Sequence, residues 1–76
     1  MHRTITKTIS HNDYVKLIEF TYKKMNKYYN NNLTSEFQET NKKIYSIYNY
    51  YYKGKISVEV AYQMMDKIYY SYYYKL

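Results

Sequence analysis

The chain has 76 residues, one glycine, no proline, no cysteine and a formal charge of +6. This length allows one domain, and the composition excludes disulfides and offers too few histidines for a structural zinc site. The longest ring-rich run, residues 44–52, is too short and too polar to cross a membrane, and no apolar leader follows Met1. We therefore expect a cytoplasmic protein that is stabilised by apolar and aromatic packing, without cofactor or metal.

Tyrosine is the most unusual feature of the composition, with fifteen copies against two phenylalanines. AT-rich codon usage raises tyrosine, asparagine, lysine and isoleucine together, but it should raise phenylalanine as well. The composition therefore indicates that a ring with a hydroxyl is favoured over a bare ring. A tyrosine can bury its ring while its tip stays in water or donates a hydrogen bond.

The first predicted helix covers residues 13–29 and follows an N-terminal arm, residues 1–11. Ser10 to Asp13 supplies several N-cap candidates, and the run of three asparagines at 30–32 is a polar break. A step of 100° per residue places the apolar side chains on one arc. The arc contains Tyr14, Leu17, Ile18, Thr21, Tyr22, Met25, Tyr28 and Tyr29.

The second predicted helix covers residues 35–53. It begins after Thr34 or Ser35, and Ser35 with Gln38 fits a capping box. Gly54 suits the left-handed position that closes a helix. The inner arc contains Phe37, Ile44, Ile47, Tyr48 and Tyr51, flanked by Tyr45 and Tyr52.

The third predicted helix covers residues 57–75, with Ser57 as its N-cap. Its inner arc contains Val58, Ala61, Met65, Ile68, Tyr69 and Tyr72, flanked by Tyr62, Met64 and Tyr73. Three amphipathic helices with short connections predict an all-α fold, a small three-helix bundle formed by the single domain 1–76. A less favoured alternative pairs residues 4–10 with 55–60 in a two-stranded ribbon, because both segments alternate in polarity.

The outer face of the first helix is the first candidate binding surface. One of the two phenylalanines falls among lysines there, opposite the apolar arc. Lysines neutralise phosphates or carboxylates, while an exposed ring stacks or fills a pocket. The simpler interpretation is a solvated lysine face with the ring covered by Ile5 or Ile9. The candidate residues are Lys16, Phe20, Lys23, Lys24 and Lys27.

Tyrosines outside the inner arcs form the second candidate. They are Tyr50 near Lys43, and Tyr70 and Tyr74 beside Lys67. Exposed tyrosine adds rigid amphipathic area at an interface. Codon bias with tolerated surface rings is the alternative, and a homodimer through the tyrosine-rich helix faces is another.

Catalysis is not expected. His11 and Asp13 lie close in sequence, but nothing supplies a nucleophile, and Asp13 suits the first turn of a helix. Size and composition favour a non-enzymatic accessory protein of a phage or mobile element. Such a protein would dock on a host protein or nucleoprotein complex and inhibit it. Direct nucleic-acid binding is the alternative, weakened by diffuse charge and a single arginine.

Overall fold

The computed structural model describes residues 8–74, which form three helices joined by two short connections. They are α1 (His11–Tyr28), α2 (Ser35–Tyr52) and α3 (Val58–Tyr73). No strand occurs within residues 8–74, so the predicted all-α three-helix bundle is confirmed.

Helix α1 begins two residues earlier than predicted because Ser10 is its N-cap. The Ser10 hydroxyl accepts a hydrogen bond from the Asp13 N–H (3.1 Å), and the Asp13 carboxylate accepts one from the Ser10 N–H (3.0 Å). This reciprocal capping box satisfies two backbone donors of the first turn. The predicted arm therefore extends no further than residue 9, and its residues 1–7 lie outside the described part of the chain.

The N-terminus of α2 differs from the predicted capping box of Ser35 and Gln38. Ser35 is already helical, and the Thr34 hydroxyl accepts the hydrogen bond from the Phe37 N–H (3.0 Å). The Gln38 amide donates to the Leu33 carbonyl (3.3 Å) instead. Thr34, the other predicted start, is thus the cap, and the capping-box prediction was wrong.

Helix α3 is capped by Ser57, as the sequence predicts. The Ser57 hydroxyl accepts a hydrogen bond from the Val60 N–H (3.2 Å). Residues 58–60 are therefore helical, and the alternative ribbon is wrong in its second segment. Residues 4–7 of its first segment lie outside the described chain, as does the predicted helical residue 75.

Gly54 closes α2 in the left-handed conformation, with φ of 77°. The next N–H, that of Lys55, donates to the carbonyl of Tyr50 (2.8 Å), which is the bond that defines a Schellman motif. The same pattern ends α1, where Asn30 takes the left-handed position with φ of 57°. Asparagine tolerates this conformation better than other residues with a Cβ.

The helices alternate in direction, so that α1 and α3 run parallel and α2 runs antiparallel to both. The backbones of α1 and α3 approach most closely, and Thr21 and Ala61 are fully buried. The backbones of α1 and α2 stand further apart, and aromatic rings fill the gap. Tyr14 of α1 stacks on Tyr48 of α2, with ring centroids 6.1 Å apart. Large aromatic rings therefore fill the wider interface between α1 and α2.

The buried side chains come largely from the predicted inner arcs. They are Tyr14, Leu17, Thr21, Met25, Tyr29, Phe37, Ile44, Ile47, Ala61, Met65 and Tyr72. The predicted flanks are less buried than expected, because Tyr45 and Tyr52 are about three-quarters exposed. Tyr28 and Tyr73 are exposed as well. Surface tyrosine is therefore more extensive than the sequence indicates.

Buried hydroxyls form a network at the end of the bundle where α1 and α3 terminate. The Tyr29 and Tyr72 hydroxyl oxygens lie 2.9 Å apart. Tyr72 also lies 2.9 Å from the Thr40 hydroxyl, and Tyr29 donates to the Glu36 carboxylate (3.3 Å). Burial, followed by the hydrogen bond with Tyr72, raises the pKa of Tyr29 above its usual range.

Tyr14 contrasts with this network at the opposite end. Its hydroxyl is buried and makes no hydrogen bond within residues 8–74. Its ring packs edge-on against Tyr51 (5.1 Å), whose hydroxyl lies 2.8 Å from the His11 Nδ1 atom. Burial, and then the neighbouring Tyr48 and Tyr51, raise the pKa of Tyr14 to about 12.

Candidate partner-binding surface

The basic face of α1 lies on the side of the helix away from its buried residues. Lys16, Phe20, Lys23 and Lys27 are exposed, and Lys24 is half-buried. The Phe20 ring is 51% exposed, and the Lys23 ammonium nitrogen lies 5.8 Å from its centroid. The structure therefore places the predicted lysines and the Phe20 ring together on one face of α1.

The C-terminal end of α3, with its C-cap residue Tyr74, carries four tyrosines whose rings contact one another. We call these the tyrosine ladder: Tyr69, Tyr70, Tyr73 and Tyr74. Tyr70 stacks on Tyr74 at 5.9 Å and 24°, and Tyr69 packs on Tyr73 at 6.0 Å and 32°. The two pairs are linked by edge-on contacts at 5.3–5.9 Å. Three of the four rings are exposed, Tyr74 most of all at 77%.

One contact joins the basic face to the tyrosine ladder. The ammonium nitrogen of Lys24 lies 4.8 Å from the ring centroid of Tyr73, within the range of a cation–π interaction. A groove of about 240 Å³ runs between the two helices at this point. We call the combined area the lysine–tyrosine surface: Phe20, Lys23, Lys24, Lys27 and the tyrosine ladder.

Phe20 also borders a second cavity, of about 320 Å³, nearer the start of α1. Lys16 and Leu17 line it on one side and Tyr62 of α3 on the other, with Ile9 at its edge. Ile9 therefore lies near Phe20, as the simpler interpretation predicts, yet half of the ring stays exposed. Ile5, the other predicted cover, lies outside the described residues.

Tyr50 lies apart from the other candidates. It lines a groove of about 540 Å³ between α2 and α3, together with Lys43 and Lys67. Lys67, predicted beside Tyr70 and Tyr74, thus shares a groove with Tyr50. The eight predicted site residues consequently occupy two surfaces of the bundle.

Two residues of the lysine–tyrosine surface were assigned to the core side of α3 from the sequence. Tyr69 was placed on the inner arc, and it does pack against the core, but it also lines the α1–α3 groove. Tyr73 was placed beside that arc and is 48% exposed. The position of these two residues beside α1 follows from the topology of the bundle and not from the periodicity of α3. In a three-helix bundle with short connections, α1 and α3 run parallel, so their last turns are neighbours.

Metal-binding clusters and membrane-spanning helices are both absent from the described residues. No group of three His, Asp or Glu side chains within residues 8–74 lies close enough to hold a metal ion. Burial, followed by Asp66 and Asp13, raises the pKa of Tyr62. None of the helices in the described chain combines the length and apolar character that a membrane span requires.

The chain was compared with protein-family models, with curated proteins and with solved structures. None of the three comparisons found a match.

Proposed function

We propose that this chain is a non-enzymatic binding module that docks on the acidic surface of a partner protein or nucleoprotein through the lysine–tyrosine surface. The contact between Lys24 and Tyr73 carries the proposal, because it joins a row of cations to a cluster of exposed rings. A single surface thereby combines long-range attraction for an anionic partner with aromatic area for close contact.

The ring contacts within the tyrosine ladder support this function through conformational entropy. Each exposed ring packs against at least two others, so that less side-chain freedom remains to be lost on binding. Tyrosine is enriched among the residues that dominate interface energies. Phe20 adds an apolar ring that a partner pocket can enclose.

A second candidate function is direct binding of single-stranded nucleic acid. It is favoured by the near-parallel Tyr70 and Tyr74 rings, because bases stack on such aromatic faces beside lysines that neutralise phosphates. It ranks second because the residues of the surface include no arginine, the side chain most often used to read bases.

Small size, positive charge and tyrosine-rich composition also lead us to propose the setting. A cytoplasmic accessory protein of a phage or mobile element, which inhibits the host complex it binds, would combine these properties. The same ladder would mediate a homodimer if two copies met there, although each copy carries a charge of +6.

Affinity capture from a lysate of the source cells, with and without nuclease, tests the proposal. We expect recovery of one protein regardless of nuclease treatment, with binding that weakens less steeply with salt than binding through phosphates does. Recovery that disappears with nuclease, or affinity that falls steeply with salt, would instead support the nucleic-acid function. Sedimentation at two concentrations would reveal the homodimer.

A further inference from the structure

The groove between α2 and α3 has an apolar floor and a basic rim. Ile47 of α2 and Met64 and Ile68 of α3 are its apolar residues. Three lysines also line it, together with Ser46 and Tyr50; the lysines are Lys42, Lys43 and Lys67. At about 540 Å³ it is the most voluminous of the grooves described above.

The groove is open to solvent at some of its residues, although its floor is built from core-type side chains. Met64 is 41% exposed and Tyr50 is 52% exposed, while Ile47 is almost completely buried. An exposed methionine beside buried isoleucine is costly for solubility but useful for binding, because its flexible thioether adapts to different apolar partners.

We infer that this groove binds an acidic amphipathic helix of a partner protein. Two antiparallel helices form its walls, which is the setting in which a third helix lays its apolar stripe into a groove. From Lys43 to Tyr50 the wall of α2 extends by about 10 Å, at a rise of about 1.5 Å per residue. That length fits about two turns of the incoming helix, and the lysines would contact acidic side chains that flank its apolar stripe.

Charge distinguishes this occupant from a second copy of the chain. Each copy carries +6, and the three lysines that line the groove would face another basic molecule. The side chains of the floor distinguish a helical partner from an oligonucleotide. Isoleucine and methionine form the floor, which therefore offers no stack of aromatic rings for bases. The inference is independent of the proposed function, since the lysine–tyrosine surface lies in a different groove.

A designed probe peptide tests the inference. It is an amphipathic helix with leucines at i, i+3, i+4 and i+7 and glutamates on both sides of that stripe. A scrambled peptide of the same composition keeps the charge and loses the stripe. We expect the probe to shift the backbone amide NMR signals of Met64 and Ile68, and the scrambled peptide to bind at least about tenfold more weakly.

Two matched variants on α3 test the site. Met64→Glu places a carboxylate in the floor, and Val60→Glu makes the same charge change at a residue that is equally exposed and lies outside the groove. Fluorescence anisotropy should give a probe affinity reduced at least about tenfold by Met64→Glu and much less by Val60→Glu. Circular dichroism checks that both variants keep their helices.

The inference is overturned if the probe does not bind, if both peptides bind equally, or if both variants weaken binding equally. Signal shifts confined to the lysine–tyrosine surface would also overturn it. Shifts of the groove signals on concentrating the protein without peptide would assign the groove to a second copy instead.

Discussion

Tyr72 and Tyr74 are two residues apart on α3, yet their environments are opposite. Tyr72 is 3% exposed, and its hydroxyl lies within 2.9 Å of those of Tyr29 and Thr40. Tyr74 is 77% exposed and packs on Tyr70 at the surface. The same residue type therefore supplies core volume with an internal hydrogen bond at one position and accessible ring area at the other.

The comparison explains why one amino acid can dominate a chain this small. A thin core places most interior positions near solvent, where a ring with a polar tip is easier to bury than a bare ring. On the surface, the same rings cover one another and remain available to a partner. Interior tyrosines should thus control stability, and ladder tyrosines should control binding.

Truncation of the two tyrosines to alanine should give the largest difference. Tyr72→Ala removes a buried ring and should cost about 3–5 kcal/mol of unfolding free energy, which a domain of this size hardly tolerates. Tyr74→Ala should change the unfolding free energy by about 0.5 kcal/mol or less, as is usual for surface positions. Urea unfolding followed by circular dichroism measures both unfolding free energies. Equal losses in the two variants would contradict the distinction between interior and surface tyrosines.

Alkaline pH should destabilise the interior selectively. The pKa of Tyr14 is about 12 in the folded chain against about 10 in the unfolded chain, so its contribution to stability is complete below pH 10. As pH rises toward 12, the unfolded state loses its proton first, and the unfolding free energy should fall by about 2–3 kcal/mol from this group. Tyr29 contributes in the same direction.

Urea unfolding at several pH values between neutral and 12 measures this effect. The Tyr14→Phe variant is the control, because it lacks the ionisable group and should lose less stability over the same interval. A decline of equal size in the variant would show that Tyr14 does not carry the effect.

Replacement of single hydroxyls should sharpen the contrast between the two ends of the core. Tyr72→Phe leaves the hydroxyls of Tyr29 and Thr40 without that partner and should cost about 1–3 kcal/mol. Tyr14→Phe removes a buried hydroxyl that has no hydrogen bond within residues 8–74, and it should stabilise the fold by about 1 kcal/mol. Thermal unfolding of both variants at neutral pH checks the opposite signs.

A smaller destabilisation is predicted for the turn between α2 and α3. Gly54→Ala should cost about 1 kcal/mol because φ of 77° is strained for a residue with a Cβ, although no atom lies within 4 Å of that position. Gly54→Asn should cost less, since Asn30 adopts a similar conformation at the end of α1. Equal costs in urea unfolding would mean that backbone strain is not the cause.

Local signals in the sequence were sufficient for most of the fold. Ser57 and Gly54 marked a helix start and end through side-chain and backbone chemistry that acts over a few residues. Helix periodicity found Leu17 and Met65 as core residues. The sequence did not decide between Thr34 and Ser35 as the cap of α2, because both hydroxyls can cap a helix.

The binding surface was less predictable because it depends on which helices are neighbours. Periodicity placed Phe20 and Lys24 on the outer face of α1, but it assigned Tyr73 to the margin of the core. The contact between Lys24 and Tyr73 joins residues 49 positions apart, and no pattern within either helix encodes it. The separation of Tyr50 from Tyr70 likewise follows from how α2 and α3 pack.

The most direct test of the account compares two triple variants that each remove one ring and two lysines. Phe20→Ala, Lys23→Ala and Lys24→Ala alter the lysine–tyrosine surface. Tyr45→Ala, Lys53→Ala and Lys55→Ala make the same chemical change outside both that surface and the α2–α3 groove.

Both triple variants should keep the wild-type helicity. The affinity for the captured partner should fall at least about tenfold in the first variant and change little in the second. Unchanged affinity in the first variant, or equal losses in both, would contradict the assignment of the lysine–tyrosine surface as the binding site.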